Sequence, residues 1–337
     1  MKGGKLFGII ALGYEQRRLW PLDLANRPFA CRPFFGGKTL LEASFERMRV
    51  LIPDDRIWVI APQSLLPLVA SLLPGLDSRR LYAGSGTNPG DLYALTETIS
   101  LIDPDGQVVF SPAGIIAGDD QAFSDLVHDA ARLAHATGCI VTGTVPVSGI
   151  RAGYPCILPG DACIRSGRVF GRDIRRYFPS VPSADAEAIS ARGAVWATGI
   201  HVWNTATFLV DVLGFLAGQQ DMDESDDLSS RFFSQSKNWL MVESALVWDP
   251  MRSFEDLARY IRGDGSGNSR SGHCIAGQTR NSIILSDNPG GLVVVHGLHD
   301  VLVVQTGETI LCCSRGDEEG VNRLLSSLAG IQQEAGS

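Results

Sequence analysis

The sequence contains no long apolar run, which limits where the protein can reside. None of its 337 residues belongs to an uninterrupted apolar stretch near the roughly 18 residues that a membrane-spanning helix requires. The first apolar run, residues 7–12, is also too short for the core of a secretory signal peptide. We therefore expect a cytoplasmic protein with no membrane partner.

Several common sequence signatures are missing as well. The seven cysteines include no C-x-x-C pair, and an odd, scattered number favours reduced thiols over a disulfide framework. The six histidines show no H-x-x-x-H spacing, and no G-x-S-x-G elbow occurs. A net charge of -8 argues against nucleic acid as a partner. These absences argue against a zinc site and against a serine-hydrolase site.

What the sequence does contain is an alternation of strand and helix patterns. Short buried runs at 7–12, 56–61, 107–111 and 139–145 alternate with longer segments that have helical spacing. This order is typical of an α/β fold with a doubly wound, mostly parallel sheet.

The domain organisation follows from one glycine- and serine-rich stretch. Residues 263–272, GDGSGNSRSG, read as a linker. We therefore predict a main domain over 1–262 and a small strand-rich region over 273–337, closed by a helix at 318–329.

The stretch from residue 8 to residue 22, GIIALGYEQRRLWPL, provides the most informative motif. A strand, a polar loop and a helix start place a phosphate site at strand ends in many α/β proteins. The stretch resembles the signature loop of the sugar-1-phosphate nucleotidyltransferases. It is most similar to that of the mannose-1-phosphate guanylyltransferases, L-A-G-G-x-G-T-R-L-W-P-L, and residues 18–22 match its second half letter for letter.

Further segments resemble the same family in a consistent order. They include the G-G-K-S-L-L turn at 36–41, the G-I-x-P turn at 143–146, the W-N-S-G-M-F motif placed on Trp203-Asn204, the S-I-D-Y-A-V-M-E segment at 237–243 and V-G-L-x-D-L-V-V-V at 296–304. The resemblance covers nearly the whole chain and implies the nucleotidyltransferase fold, Rossmann-like in its sheet. It also implies a helix at 237–243, where the family's S-I-D-Y-A-V-M-E helix aligns.

The family's chemistry makes specific demands on the site. The resemblance implies that mannose 1-phosphate attacks the α-phosphorus of GTP and that pyrophosphate leaves. Both reactants are anionic, so such a site uses glycine-rich backbone, basic side chains and Mg²⁺ held by carboxylates.

The residues that would meet these demands are largely replaced. In the loop, Gly13 is kept, but Tyr14 and Gln16 replace two glycines and Glu15 adds negative charge. Elsewhere, the aligned positions hold Phe29 for the phosphate lysine, Gly86 for the arginine of R-N-T-A-P, Ala113-Gly114 for the aspartate-histidine pair, Ser180-Val181 for the charges of E-K-P, and Pro250 for the second metal aspartate.

Some polar residues remain as candidates. Gly13, Arg17, Arg18, Asn88 and Asn204 are the predicted ligand-binding residues, although Arg18 could be a surface arginine and the two asparagines could have structural roles instead. If the protein is active, Arg18 would be catalytic, and Asp249, one position before Pro250, could hold Mg²⁺.

Three hypotheses therefore stay open. The chain is a catalytically degenerate guanylyltransferase homologue that binds a sugar or nucleotide sugar or has a regulatory role; or an active transferase with a relocated, Mg²⁺-dependent site; or a protein whose cleft serves different chemistry. The first needs no cofactor. The resemblance also implies association, as a homo-oligomer or with an active homologue.

Overall fold

The computed structural model describes residues 4–12, 19–24, 26–33, 37–84, 88–146, 153–218, 232, 235–236, 238–317, 320–321, 323–325 and 327. The chain divides into two compact units, one made of Met1–Tyr14 and Ala30–Pro250, the other of Glu15–Phe29 and Met251–Ser337. This division falls earlier than the predicted linker, and it groups part of the signature loop with the C-terminal region. The domain boundary at 262–273 stays a prediction.

A mixed sheet forms the centre of the first unit. Among the described residues it has nine strands in the order β3-β2-β1-β4-β9-β6-β10-β8-β7. Its strands are β1 (Leu6–Ala11), β2 (Ile57–Ala61), β3 (Leu81–Ala83), β4 (Gln107–Pro112), β6 (Ile140–Val145), β7 (Cys156–Ser166), β8 (Val169–Phe178), β9 (Val195–Asn204) and β10 (Trp239–Glu243). Strands β1 to β4 pair in parallel, and β6 pairs in parallel with β10. The prediction of an α/β fold with a mostly parallel sheet is confirmed.

The helices of this unit are α1 (Leu40–Arg49), α2 (Leu66–Leu72), α3 (Pro89–Ile102), α4 (Asp120–Thr137), α5 (Ala186–Ala191) and α6 (Thr205–Ala217). Their ends follow ordinary capping chemistry. Thr39 and Glu42 form a reciprocal capping box at α1, and α4 begins at the N-cap Asp119 and ends at Gly138, which has a φ of 72°. None of the helices in the described part of the chain is long and apolar enough to cross a bilayer.

The prediction of a helix at 237–243 is wrong. Trp239–Glu243 is strand β10, and its first four residues are all buried. A fully buried apolar run of this length has no periodicity that separates helix from strand, and here it adds to the sheet beside β6.

The second unit contains a short parallel β-solenoid. Its strands are β12 (Ser269–Ser271), β13 (Cys274–Gly277), β14 (Ile283–Ser286), β15 (Val293–His296), β16 (Val301–Thr306) and β17 (Thr309–Ser314), preceded by helix α7 (Phe254–Ala258). Strands β12, β14 and β16 stack in parallel, as do β13 and β15, and β17 closes the first stack in the antiparallel sense. Ile284, Val295 and Val303 form its small apolar core.

The predicted linker at 263–272 belongs to this solenoid. Ser269–Ser271 is a strand in register with β14, so the glycine-rich stretch forms the first coil. At equivalent corners of the solenoid, residues with a left-handed backbone conformation lie one above another: Gly267 (φ 76°), Asn281 (φ 47°) and Asp300 (φ 54°). The side chains of Asn281 and Asp300, which are 19 residues apart, are hydrogen-bonded. Of the predicted closing helix at 318–329, residues 320–321, 323–325 and 327 are described, and all of them are helical.

This corner leads to a stability prediction. Asn281→Val should unfold at lower urea concentration than Asn281→Gly, because a β-branched residue is disfavoured at positive φ by about 1–2 kcal/mol. Both variants lose the same contacts, including the hydrogen bond from Arg315 Nη1 to Asn281 Oδ1. The difference between them reports backbone strain less the roughly 0.5–1 kcal/mol that glycine costs in unfolded-chain entropy. A valine variant clearly more stable than the glycine variant would show that the corner is not strained.

Candidate functional site

The candidate site lies where the parallel strands end. Because β1, β2, β3 and β4 run in parallel, the residues that follow them meet at one edge of the sheet. We call this the carboxyl edge: Leu12, Pro62, Gly84 and Pro112–Gly114. The strand order reverses between β1 and β4, since β2 and β3 extend to one side and β4 to the other. Ligands of open α/β sheets bind at such a point.

At the end of β4, the backbone is fixed by two hydrogen bonds. The Ala113 N–H donates to Ala11 O at 2.9 Å, and Ser44 Oγ donates to Ala113 O at 3.1 Å. Ala113 is fully buried. When P-S-D-H is aligned from Pro112 without a gap, its aspartate falls on Gly114 and its histidine on Ile115. The alignment from sequence alone placed the same pair one position earlier, on Ala113 and Gly114. Either alignment leaves no carboxylate or imidazole here.

Asp249 lies beside this turn. It belongs to β11 (Trp248–Asp249), which pairs with β5 (Ile116–Ala117), and Asp249 is opposite Ile116. Trp248 Nε1 donates to Thr198 O at 3.0 Å and fixes the strand. Asp249 is only 6% exposed. The structure thus brings Asp249 next to the end of β4, whereas Pro250 stands at the motif's metal position.

The predicted ligand-binding residue Asn204 lies at the opposite edge of the sheet. Asn204 ends β9, which is antiparallel to β4, and it is opposite Gln107 at the start of β4. Its Oδ1 accepts a hydrogen bond from Gln107 Nε2 at 2.9 Å, and its Nδ2 donates to Ala134 O at 2.8 Å. The structure therefore gives Asn204 the structural role and does not bring it to the carboxyl edge.

A better match for W-N-S-G-M-F begins at Trp196. Trp196-Ala197-Thr198-Gly199 repeats the spacing of tryptophan and glycine. Gly199 has a φ of 76°, and a Cβ there would lie 2.9 Å from Pro112 Cγ. This places the motif at the end of β4 and puts Ala197 where the family has asparagine. The sequence offered two tryptophans: the spacing to a glycine favours Trp196, whereas the adjacent asparagine favours Trp203, and the spatial neighbour of Gly199 decides for the first.

Asn88 is at the carboxyl edge and has a defined local role. It is the N-cap of α3, and its Oδ1 accepts a hydrogen bond from the Gly90 N–H at 2.8 Å. A Cβ added at Gly84 would lie 2.9 Å from Asp91 Cγ, so the first turn of α3 packs beside the end of β3. This end of α3 therefore lies at the same edge of the sheet as the turn after β4. Ligand contact by Asn88 stays a prediction.

The predicted loop residues Gly13, Arg17 and Arg18 lie outside the described residues. The matching half that follows them is described in the second unit: Leu19 and Leu22 are buried, and the Leu22 N–H donates to Leu19 O at 2.7 Å. The Trp20–Pro21 peptide is cis. Packing therefore explains why residues 19–22 keep the sequence of the family's signature loop.

Phe29, which replaces the family's lysine, is a core residue of the second unit. Its side chain is only 2% exposed, and its N–H donates to Asp23 Oδ1 at 3.0 Å. An apolar side chain enclosed in this way supplies no charge to a phosphate.

One acidic residue at this edge was missed in the sequence analysis. Glu243 ends β10 and is exposed. Because β10 is parallel to β6, and β9 is antiparallel to both β6 and β4, Glu243 lies on the same edge as Pro112. The final letter of S-I-D-Y-A-V-M-E was the available signal.

A metal site in the family's form does not fit these residues. Mg²⁺ prefers carboxylate oxygens, and the aligned positions hold Ala113, Gly114 and Pro250. In the residues that the structure describes, no group of three or more histidine, cysteine, aspartate or glutamate side chains could hold a metal ion.

Beneath the edge, His201 is enclosed by aromatic rings. Its ring centroid is 5.8 Å from that of Phe110 and 5.9 Å from that of Trp239. Burial lowers the pKa of His201 from 6.5 to about 3. The native state therefore holds the neutral imidazole.

This burial predicts an acid-sensitive fold. The unfolded chain binds a proton near pH 6.5 and the folded chain does not, so stability is retained above pH 6.5 and lost as the pH falls towards 3. Relative to wild type, His201→Phe should gain about 2 kcal/mol of unfolding free energy between pH 7.5 and pH 5. Urea titrations at both values measure the gain, and a pH-independent difference would contradict the assignment.

Comparison with known proteins supports the resemblance. No family model matches the chain. Mannose-1-phosphate guanylyltransferase ManC of Salmonella typhimurium is 24% identical over 97% of this chain and 74% of its own length. Mannose-1-phosphate guanylyltransferase of Escherichia coli K12 is 22% identical with the same coverage.

A solved structure agrees in fold. The crystal structure of mannose-1-phosphate geranyltransferase from Thermus thermophilus superposes with a TM-score of 0.76 and 21% identity, over 96% of this chain and 99% of that one. Similarity in sequence and in fold thus extends over nearly the whole chain. The chain is thus similar in sequence to mannose-1-phosphate guanylyltransferases and shares its fold with the Thermus thermophilus structure.

Proposed function

We propose that this protein is a catalytically degenerate guanylyltransferase homologue that binds a sugar or nucleotide sugar without transferring a nucleotidyl group. One observation carries the proposal. At the carboxyl edge, the positions of the family's charged and polar residues hold Ala113, Gly114, Ala197 and Pro250. Packing segments persist around them, so the scaffold is kept while the chemistry is lost.

Electrostatics explains why these replacements matter. A triphosphate and a sugar phosphate repel each other, and catalysis requires cations between them. The edge instead offers small, buried side chains and the carboxylates of Asp249 and Glu243. A neutral sugar or a less charged nucleotide sugar meets less repulsion here than GTP does.

The alternative is an active transferase with a relocated site. It would use Arg17 and Arg18 for phosphate and Asp249 for Mg²⁺. The position of Asp249 opposite Ile116, just after the turn that ends β4, favours this alternative over a complete loss of metal binding. A pyrophosphate-release assay with wild type and Asp249→Ala separates the two functions.

A regulatory role through association with an active homologue extends the leading proposal. It predicts a complex when the two chains are mixed, with a change in the active partner's turnover. Sedimentation velocity of the mixture tests the association. Monomers at every concentration, with no mixed species, would count against a subunit role and leave the ligand-binding proposal to its own test.

A further inference from the structure

The hairpin of β7 and β8 presents an unusual charge distribution. Between Ala162 and Arg172 the sequence contains three arginines and no acidic residue, although the chain as a whole has a net charge of -8. Arg165, Arg168 and Arg172 are all exposed. Within the described part of the chain, none of the three forms an ion pair. The hairpin is thus a local patch of unpaired positive charge on a protein whose net charge is negative.

The orientation of this hairpin is fixed by packing on its other face. Gly171 lies against α4, where an added Cβ would be 2.2 Å from Leu133 Cδ2. Gly167, at a φ of 63°, forms the tight turn, and a Cβ there would be 3.7 Å from Arg132 Nη1. Arg132 is exposed and adds a fourth guanidinium at the tip.

The outward face combines these charges with an aromatic ring. Arg165 is paired with Phe170 and Cys163 with Arg172, so the four side chains share one face of the ribbon. Phe170 is 57% exposed, and Arg165 Cζ lies 5.1 Å from its ring centroid. We define this docking face as Arg165, Arg168, Phe170 and Arg172.

Two arginines of the face are held in place by backbone acceptors. Arg165 Nε donates to Gly167 O at 2.8 Å, and Arg172 Nη2 donates to Gly160 O at 2.6 Å. Their remaining guanidinium nitrogens are left for another acceptor. Pre-organised arginines beside an exposed aromatic ring are the residue types that dominate protein interfaces.

The nearby acids are already engaged. Asp161 pairs with Arg175 at 2.5 Å, and Asp173 Oδ1 accepts a hydrogen bond from the Ala162 N–H at 2.8 Å. Carboxylates that pair with the three guanidinium groups of the face must therefore come from outside this hairpin.

We propose that the docking face binds an acidic, carboxylate-rich polypeptide segment of a partner protein. Arginine forks match carboxylates in bidentate geometry, and Phe170 supplies an apolar anchor between them. A symmetric contact between two copies of the face would oppose like charges. A long nucleic acid would extend beyond the face over the rest of a protein whose net charge is -8, whereas a short acidic segment contacts the docking face alone. The inference does not depend on what the carboxyl edge binds.

The test measures fluorescence anisotropy of a labelled 12-residue oligo-glutamate peptide with the full chain at low salt. Arg165→Glu/Arg168→Glu/Arg172→Glu should weaken binding about 100-fold, and Phe170→Ala about fivefold. The matched control Arg192→Glu/Arg262→Glu/Arg280→Glu makes the same change of net charge at exposed positions elsewhere and should weaken binding less than about fivefold. Circular dichroism melting verifies that each variant is folded.

Three results would overturn the proposal. The first is no peptide binding by wild type at low salt. The second is an equal loss of affinity in the hairpin and control variants, which would show a non-specific charge effect. The third is tighter, hairpin-dependent binding of a 12-nucleotide oligothymidylate, which would make nucleic acid the partner.

Discussion

Purified protein mixed with GTP, mannose 1-phosphate and Mg²⁺ is expected to release no pyrophosphate above background. Typical enzymes turn over about 1–1,000 times per second, and a bound metal ion contributes several kcal/mol of transition-state stabilisation. With Ala113, Gly114 and Pro250 at the aligned metal positions, we expect a rate at least about 1,000-fold below that range. A coupled pyrophosphate assay measures it, with the Escherichia coli guanylyltransferase as positive control.

The variant Asp249→Ala makes this assay decisive. If the protein is degenerate, the variant and wild type should give the same background. Turnover near one per second in wild type, lost in Asp249→Ala, would contradict degeneracy and support the relocated site. Turnover retained in Asp249→Ala would contradict degeneracy and would also exclude Asp249 as the metal-binding residue.

The second large effect concerns which ligand the protein selects. GDP-mannose should raise the melting temperature at concentrations where GTP does not, since a ligand that binds the folded state stabilises it. The reason is charge: Phe29 replaces a lysine, and the carboxyl edge provides Asp249 and Glu243 without a described cation among the aligned positions. We expect at least about tenfold tighter binding of GDP-mannose, equivalent to about 1.4 kcal/mol.

Asn88 offers a variant for this ligand test. Asn88→Ser keeps a side-chain oxygen that can cap α3, removes the amide donor and adds no charge, so the melting temperature without ligand should hardly change. If Asn88 contacts the ligand, the shift caused by GDP-mannose should fall. An unchanged shift would restrict Asn88 to its capping role.

Much of the fold could be predicted from local sequence pattern. β1, β2 and β4 are short, mostly apolar runs bounded by polar turns, and α4 has a clear apolar stripe between an aspartate cap and a glycine stop. Such elements carry their own start and stop signals. Strand β10 carries none, because a buried five-residue run fits a helix or a strand equally well, and its neighbour β6 decides.

The solenoid was hidden for a different physical reason. Its corners need residues that tolerate positive φ, so Gly267 and the surrounding glycines and serines have the composition of a flexible linker. The coil is defined by pairing between strands 19 residues apart, as in Ser286 with Gln305, and no single coil shows this pairing.

The candidate site was predicted in part. The loss of the aspartate-histidine pair and of the second metal aspartate could be read directly from the motifs. The asparagine of W-N-S-G-M-F could not, because Trp196 and Trp203 both begin a plausible match. The glycine spacing favours Trp196 and the asparagine favours Trp203, and the approach of Gly199 to Pro112 identifies the first as the one at the carboxyl edge.

Isothermal titration calorimetry with GTP, with and without Mg²⁺, tests the central claim most directly. If the carboxyl edge has lost its cation-binding residues, GTP should bind with a dissociation constant of about 1 mM or weaker, and Mg²⁺ should change it less than about threefold. Micromolar binding of GTP that depends on Mg²⁺ would contradict this account and show that the site remains competent for the nucleotide.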